Sequence, residues 1–213
     1  MSSAAVCPHH YHNHAAALTT ALRPFRPFMV PTMVAVAAAG AVGLVYLRNL
    51  LRDPNPLAIW TSLSGWPPVL RTLWFTKLVH LANPFSATGG VRIVSYGPGA
   101  CVASMTERRA LRNPFGSIHA AALALAGETA AGMAFLGTLP KSMRAIPTGM
   151  RCEYIKKARG TICAVVGPGS FPEVYTSGTV DVVAEIRSGS TGAGELLARV
   201  IVAFEVRPKA SHA

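Results

Sequence analysis

The sequence predicts an α+β protein, an antiparallel sheet wrapped around one long central helix and preceded by an N-terminal membrane-type helix. Three observations predict it. The 213-residue chain has an apolar, sparsely charged front and a back of ordinary charge density: residues 1–90 hold six basic and one acidic side chain, residues 91–213 fourteen and eight. The back contains six short β-prone runs separated by glycine-bearing turns. A single Ala- and Leu-rich run, 117–139, falls between the second and third of them. Consecutive strands with one segregated helix are the pattern of antiparallel α+β domains.

Composition sets the frame. Hydrophobic residues make up 51% and charged residues 14%, against about 25% charged in an ordinary globular protein. A disordered chain needs low hydrophobicity and high charge, so it is excluded; coiled-coil and collagen compositions are absent. The net charge of +11 is spread along the chain. Its basic residues lack interleaved aromatics or a nucleic-acid motif, so no nucleic-acid partner is expected.

Residues 1–27 read as a tail. It has Arg, Ser, Thr and Ala without acids, as in a mitochondrial presequence, and a His-rich stretch (His9, His10, His12, His14) with no fixed geometry for a metal. Residues 28–47 are twenty uncharged residues flanked by Arg23, Arg26, Arg48 and Arg52. A helix rises about 1.5 Å per residue, so this run is long enough for a ~30 Å hydrocarbon core. A membrane anchor is the first reading; a targeting segment or a buried helix is the other. Arginines at both ends give no orientation. Residues 48–90 carry all three tryptophans, Trp60, Trp66 and Trp74. They read either as interfacial helices or as helices packed on the domain behind, broken at Pro67-Pro68. Cys7, Cys101, Cys152 and Cys163 have no C-x-x-C spacing, so neither a zinc site nor a redox motif is indicated and reduced thiols are the default. No metal is expected.

The main domain is expected over 91–207, with 208–213 a tail. Runs 91–96 and 100–106 pair across Gly97-Pro98-Gly99. Residues 117–139 favour helix and stop at Pro140. Being apolar all round, this helix should be buried. Strands follow at 149–155, 161–166, 175–186 and 195–206.

One residue stands out in that helix. The 28 residues between Arg112 and Lys141 contain one charged side chain, Glu128. A carboxylate among Ala and Leu loses hydration, which disfavours its charged form; such groups occur at functional sites or are capped locally. His119 lies nine positions earlier, about 180° around a continuous helix. The two side chains therefore face apart unless His119 precedes the helix or a second subunit brings them together.

The stretch Asn113, Gly116, His119, Ala120-Ala121, Glu128 (N-x-x-G-x-x-H-A-A, then an acid nine after the His) resembles the signature of hot-dog-fold acyl-CoA thioesterases of the PaaI-like group, as a little-characterised branch. The later stretch 150–160, with Tyr154 and Ala158, is similar to the family's strand after the helix. The resemblance runs over roughly 57–207. It implies the hot-dog fold, a site at a homodimer or tetramer interface, and hydrolysis of an acyl-CoA to carboxylate and free CoA, the CoA being part of the substrate and no cofactor being required. It implies Glu128 as base or nucleophile, the Ala120 backbone N–H as oxyanion donor, Asn113 and His119 as orienting groups, and Thr148 as the strand hydroxyl. Gly116, Arg112, Lys156, Lys157 and Arg159 would bind substrate, the cations meeting CoA phosphates. Ala120-Ala121 replaces the family's Gly-Gly, which keeps an alternative open: a non-catalytic hot-dog module that binds acyl chains or a protein at a membrane. Membrane attachment, with the mitochondrion as a candidate organelle, is the matching expectation for localisation.

Overall fold

The computed structural model describes residues 40, 43–44, 55–168, 171 and 176–209. The anticipated span 28–47 therefore lies outside the described residues apart from Gly40, Gly43 and Leu44, and the tails 1–27 and 210–213 lie outside them entirely. Among the described residues, no helix is long and apolar enough to cross a membrane. Two compact units divide at residues 48 and 49; all that follows concerns the second.

Three short helices open this unit. Helix α1, Pro56–Ser62, starts at Asn55, whose side chain accepts from the Leu57 and Ala58 N–H groups at 3.1 and 3.3 Å, with Pro56 in the first turn. The cap satisfies two of the donors that a helix start leaves unpaired. Helix α2, Pro68–Ala82, and helix α3, Pro84–Gly89, also begin on proline. Trp60 and Phe75 are buried and meet edge-to-face at 5.0 Å, and Phe75 stacks on Tyr96 at 5.6 Å. The tryptophans divide accordingly. Trp60 packs on the domain, with the Arg71 guanidinium 3.8 Å over its ring. Trp66 and Trp74 are exposed and touch each other.

The sheet has six strands: β1 Arg92–Gly97, β2 Ala100–Thr106, β3 Met143–Tyr154, β4 Thr161–Val166, β5 Gly178–Ser188 and β6 Leu196–Pro208. Its order is β1-β2-β4-β5-β6-β3, with every pair antiparallel. Helix α4, Ala120–Leu136, lies against it and packs on β2, β4, β5 and β6. This is the expected α+β arrangement. Alternate residues of the central strands (Ile162, Ala164, Val182, Ala184, Ile186, Val200, Val202) are fully or almost fully buried, the period-two pattern of a sheet covered on one face. Gly127 allows a close helix–sheet approach: a Cβ built there would lie 2.5 Å from Cβ of Val200 on β6.

Several boundaries differ from the sequence reading by one to six residues, and three of them have a clear local reason. Helix α4 begins at Ala120 rather than 117 because the preceding backbone is spoken for: Ile118 donates to the Ala158 carbonyl at 2.9 Å and bridges Arg112. It ends at Leu136, where Thr138 and Leu139 both fold back onto the Phe135 carbonyl. Strand β3 starts at Met143, six residues before the expected strand. Pro147 sits within it, tolerated because β3 is an edge strand with a bulge between Pro147 and Gly149. Cys101, Cys152 and Cys163 are unpaired thiols.

Candidate active site

Residues 112–119 form a loop that aims the start of α4. The Asn113 side chain closes it: Oδ1 accepts from the Phe115 and Ser117 N–H groups at 3.0 and 3.2 Å, and Nδ2 donates to Ser117 Oγ at 2.9 Å. Gly116 has φ +69°, a left-handed conformation that a side chain would strain. His119 caps α4, its Nδ1 accepting from the Ala121 N–H at 3.1 Å, and its carbonyl accepts from Ala122 and Leu123. The Ala120 N–H is thereby left without an acceptor among the described residues. It lies at the positive end of the α4 dipole and beside a groove of ≈ 390 Å³ lined by Asn113, Phe115, Tyr154, Lys156 and Lys157 among others.

The cations expected at CoA phosphates divide. Arg112 Nε donates to Glu107 at 2.6 Å, and Glu107 also accepts from the Gly160 N–H at 2.5 Å. The Gly160 N–H first, and Arg112 second, hold the Glu107 carboxyl below the usual carboxylate range. Arg159 Nε donates to the Gly116 carbonyl at 3.1 Å, so this arginine braces the loop. Lys156 pairs with Glu195. Lys157 is exposed and has no ion-pair partner among the described residues, so the groove keeps one uncommitted cation.

Glu128 is elsewhere. It is half-buried on α4, has no hydrogen-bond or ion-pair partner among the described residues, and burial pushes its carboxyl up. It lines a second cavity of ≈ 390 Å³ between α4 and α1–α2. His119 lines a third, ≈ 200 Å³, with Phe85, Leu111 and Leu125. The structure thus brings Asn113, Gly116, His119 and Ala120 together at one helix end and sets Glu128 apart within the same protomer. Among the described residues, no cluster of His, Cys, Asp or Glu could hold a metal ion.

Residues 71–202 match the model of a family described as a domain of unknown function, DUF4442. The chain belongs to the DUF4442 family. No curated protein matches it in sequence. Solved structures similar to this DUF4442 chain are hot-dog proteins, and the chain shares their fold. A structural-genomics target is 24% identical with a TM-score of 0.61, covering 72% of this chain and 99% of its own. A thioesterase from Haemophilus influenzae is 16% identical with a TM-score of 0.53, covering 65% and 94%. A thioesterase family protein from Silicibacter pomeroyi is 18% identical with a TM-score of 0.51, covering 63% and 96%.

The DUF4442 span takes in α2 from Arg71, so most of the α2 wall of the Glu128 cavity belongs to the domain, while α1 precedes it. Thr148 lies on the exposed edge strand, its Oγ1 donating to the Ala203 carbonyl at 3.3 Å, and lines none of the three cavities. Tyr154 is a groove residue that sequence reasoning did not assign: its hydroxyl donates to the Ala120 carbonyl at 3.3 Å. Its position at the end of the strand matched after the helix was the available signal.

Proposed function

We propose that this chain hydrolyses acyl-CoA thioesters at the interface of a homodimer. The observation that carries the reading is that α4 bears both an N–H without an acceptor at its N-terminus and, eight residues on, a carboxylate without a partner among the described residues. Glu128 takes a proton from water, and the resulting hydroxide adds to the thioester carbonyl. The Ala120 N–H of the facing protomer receives the oxyanion. Collapse breaks the C–S bond; CoA leaves as the thiol, taking up the proton, and the acyl group leaves as a carboxylate. Direct attack by Glu128 on the carbonyl, followed by hydrolysis of the anhydride, uses the same placement. Lys157, the uncommitted cation of the groove, meets the CoA phosphates. Strand β3 supports the dimer: it is a twelve-residue edge with Ile146 and Met150 each more than half exposed, and an unpaired edge of this length is a template for a second copy.

A second reading is an acyl-binding module without turnover. The side chains of Asn113 and His119, expected to orient substrate or water, bond within their own loop. Thiol release from acyl-CoAs by the full-length chain decides between the two. Turnover that disappears in Glu128→Gln supports hydrolysis by the assigned group. Turnover unchanged in Glu128→Gln overturns the assignment, and tight binding with no thiol release establishes the binding module.

A further inference from the structure

We propose that the cavity between α1–α2 and α4 receives the acyl chain, and that the substrate class is an acyl thioester with a chain on the order of a dozen carbons. The inference rests on the reading of Glu128 as the group that acts at the thioester carbonyl.

The cavity's chemistry is that of a hydrocarbon site. Ile59, Phe75, Leu78, Val79, Met133 and Leu136 supply its walls. Thr129 contributes little polarity, because its hydroxyl donates to the Leu125 carbonyl at 2.8 Å. Among the described residues, Glu128 is the only ionisable side chain on the lining. One carboxylate in a chamber whose other lining is apolar apart from Thr129 and Asn83 matches a ligand with a reactive polar head and a long apolar tail.

The space is built into the scaffold. On the far side of α2, Thr76 Oγ1 accepts from the Ile93 N–H at 3.0 Å, and His80 Nε2 bonds the Val91 carbonyl at 2.7 Å. Phe75 is 1% exposed and clamped between Trp60 and Tyr96. These contacts fix α2 to β1 and stop it from closing onto α4. On the α4 side, Gly132 lines the cavity, and a Cβ built there would meet nothing within 4 Å. Glycine inside a helix is unfavourable, and Gly132 lacks the close neighbour that accounts for Gly127. What its missing side chain leaves is volume. At roughly 30 Å³ per heavy atom, taking the share of a water molecule in the liquid, ≈ 390 Å³ holds on the order of a dozen carbons.

The test uses S-alkyl-CoA thioethers, which cannot be hydrolysed, so binding is read separately from turnover. Calorimetric affinities of the full-length chain for S-butyl-, S-octyl-, S-dodecyl- and S-hexadecyl-CoA should at first rise by about fourfold per methylene, the equivalent of about 0.8 kcal/mol each. They should level off near twelve carbons. Gly132→Leu adds four carbons to the chamber, and the plateau should arrive about four carbons earlier. S-dodecyl-CoA should lose at least tenfold in affinity while S-butyl-CoA changes less than twofold. Gly132→Ala should give a smaller shift in the same direction and serves if the leucine variant misfolds. Chain-length profiles that coincide in all three proteins, with acyl-CoAs still hydrolysed, overturn the cavity assignment and leave the hydrolase reading standing. Absence of both thioether binding and hydrolysis overturns both.

Discussion

Two glycines on one helix should respond to the same substitution with opposite signs. Gly127→Ala places a Cβ 2.5 Å from Val200 Cβ and Cγ2 and 2.9 Å from Cγ1. Carbon atoms in contact prefer about 3.5–4.0 Å, so three contacts are short by more than half an ångström. Val200 cannot rotate away. It is fully buried, its own Cβ is among the clashing atoms, and its backbone is paired with Cys152 on one side and Ala184 on the other. Relief requires α4 to lift off the sheet. Overpacking of this kind costs about 1–3 kcal/mol, and the upper end applies when backbone must move. The helix gains about 1 kcal/mol from replacing glycine with alanine, leaving a net loss of about 2 kcal/mol. Gly132→Ala has the same gain and no clash, for a net increase of about 1 kcal/mol. In a chain of this size 1 kcal/mol moves Tm by about 2–4 °C, so Gly127→Ala should melt about 4–8 °C below the parent and Gly132→Ala about 2–4 °C above it in calorimetry. Equal melting temperatures for the two variants would refute the seating of α4 on β6.

Glu128→Gln should separate stability from activity. Burial raises the Glu128 pKa in the folded chain above its unfolded value. Between the two values the folded state retains a proton that the unfolded state has lost. Stability therefore falls as pH rises through that window, and the cost remains in full above it. The glutamine variant should melt higher than the parent at pH 8, with the difference shrinking toward pH 4, while thiol release drops about 10²–10⁴-fold. The acid limb of the parent's rate profile should lie above the ordinary Glu pKa of about 4.3; a limb at or below that value contradicts a half-buried base. Ala120→Pro tests the oxyanion donor. Proline suits the first helical position, and His119 at φ −63°, ψ 141° already has the conformation required before proline. The variant should keep its melting temperature and lose about 10²–10³ in kcat, while Ala120→Gly, which retains the N–H, should not; retained turnover in the proline variant removes Ala120 from the mechanism.

Helix α4 was legible because Ala and Leu favour helix locally and Pro140 bounds the run, although the helix itself stops at Leu136, and Glu128 was legible because a carboxylate is costly among them. Which face of α4 looks outward was hidden, since the run is apolar on every side. In the structure Ala121, Leu125, Glu128, Gly132 and Leu136 are half-buried or exposed while nearly all the rest are buried. Only Glu128 and Gly132 mark that stripe in the sequence. Strand β3 starts six residues before the expected strand, and sequence alone does not say that Pro147 lies on an edge, where proline is tolerated. Asn113 matched a motif by spacing, yet its hydrogen bonds depend on the loop closing over Ser117, a tertiary fact. Arg112 and Arg159 were grouped with the substrate cations by proximity in sequence; their partners, Glu107 and the Gly116 carbonyl, come from chain segments that meet only on folding.

The helix geometry also bears on how many chains the proposed site needs. Ala120 and Glu128 are eight residues apart on a continuous helix, about 12 Å along its axis. Side chains lean toward the N-terminus, but an oxyanion donor must lie about 3 Å from the reacting oxygen and a base within reach of the attacking water. That spacing favours the shared site proposed above over one contained in a single protomer. In a two-fold dimer each site would take Ala120 from one copy and Glu128 from the other, and every contact occurs twice. Mixing inactive Ala120→Pro with inactive Glu128→Gln then creates hybrid dimers with one doubly damaged site and one intact site. Random exchange makes half of the dimers hybrids, so activity should return to about a quarter of the parent's, measured as thiol release after unfolding and refolding the mixture. A site contained in one protomer predicts no recovery at any mixing ratio, and that result would end the shared-site mechanism even with both residues proven essential.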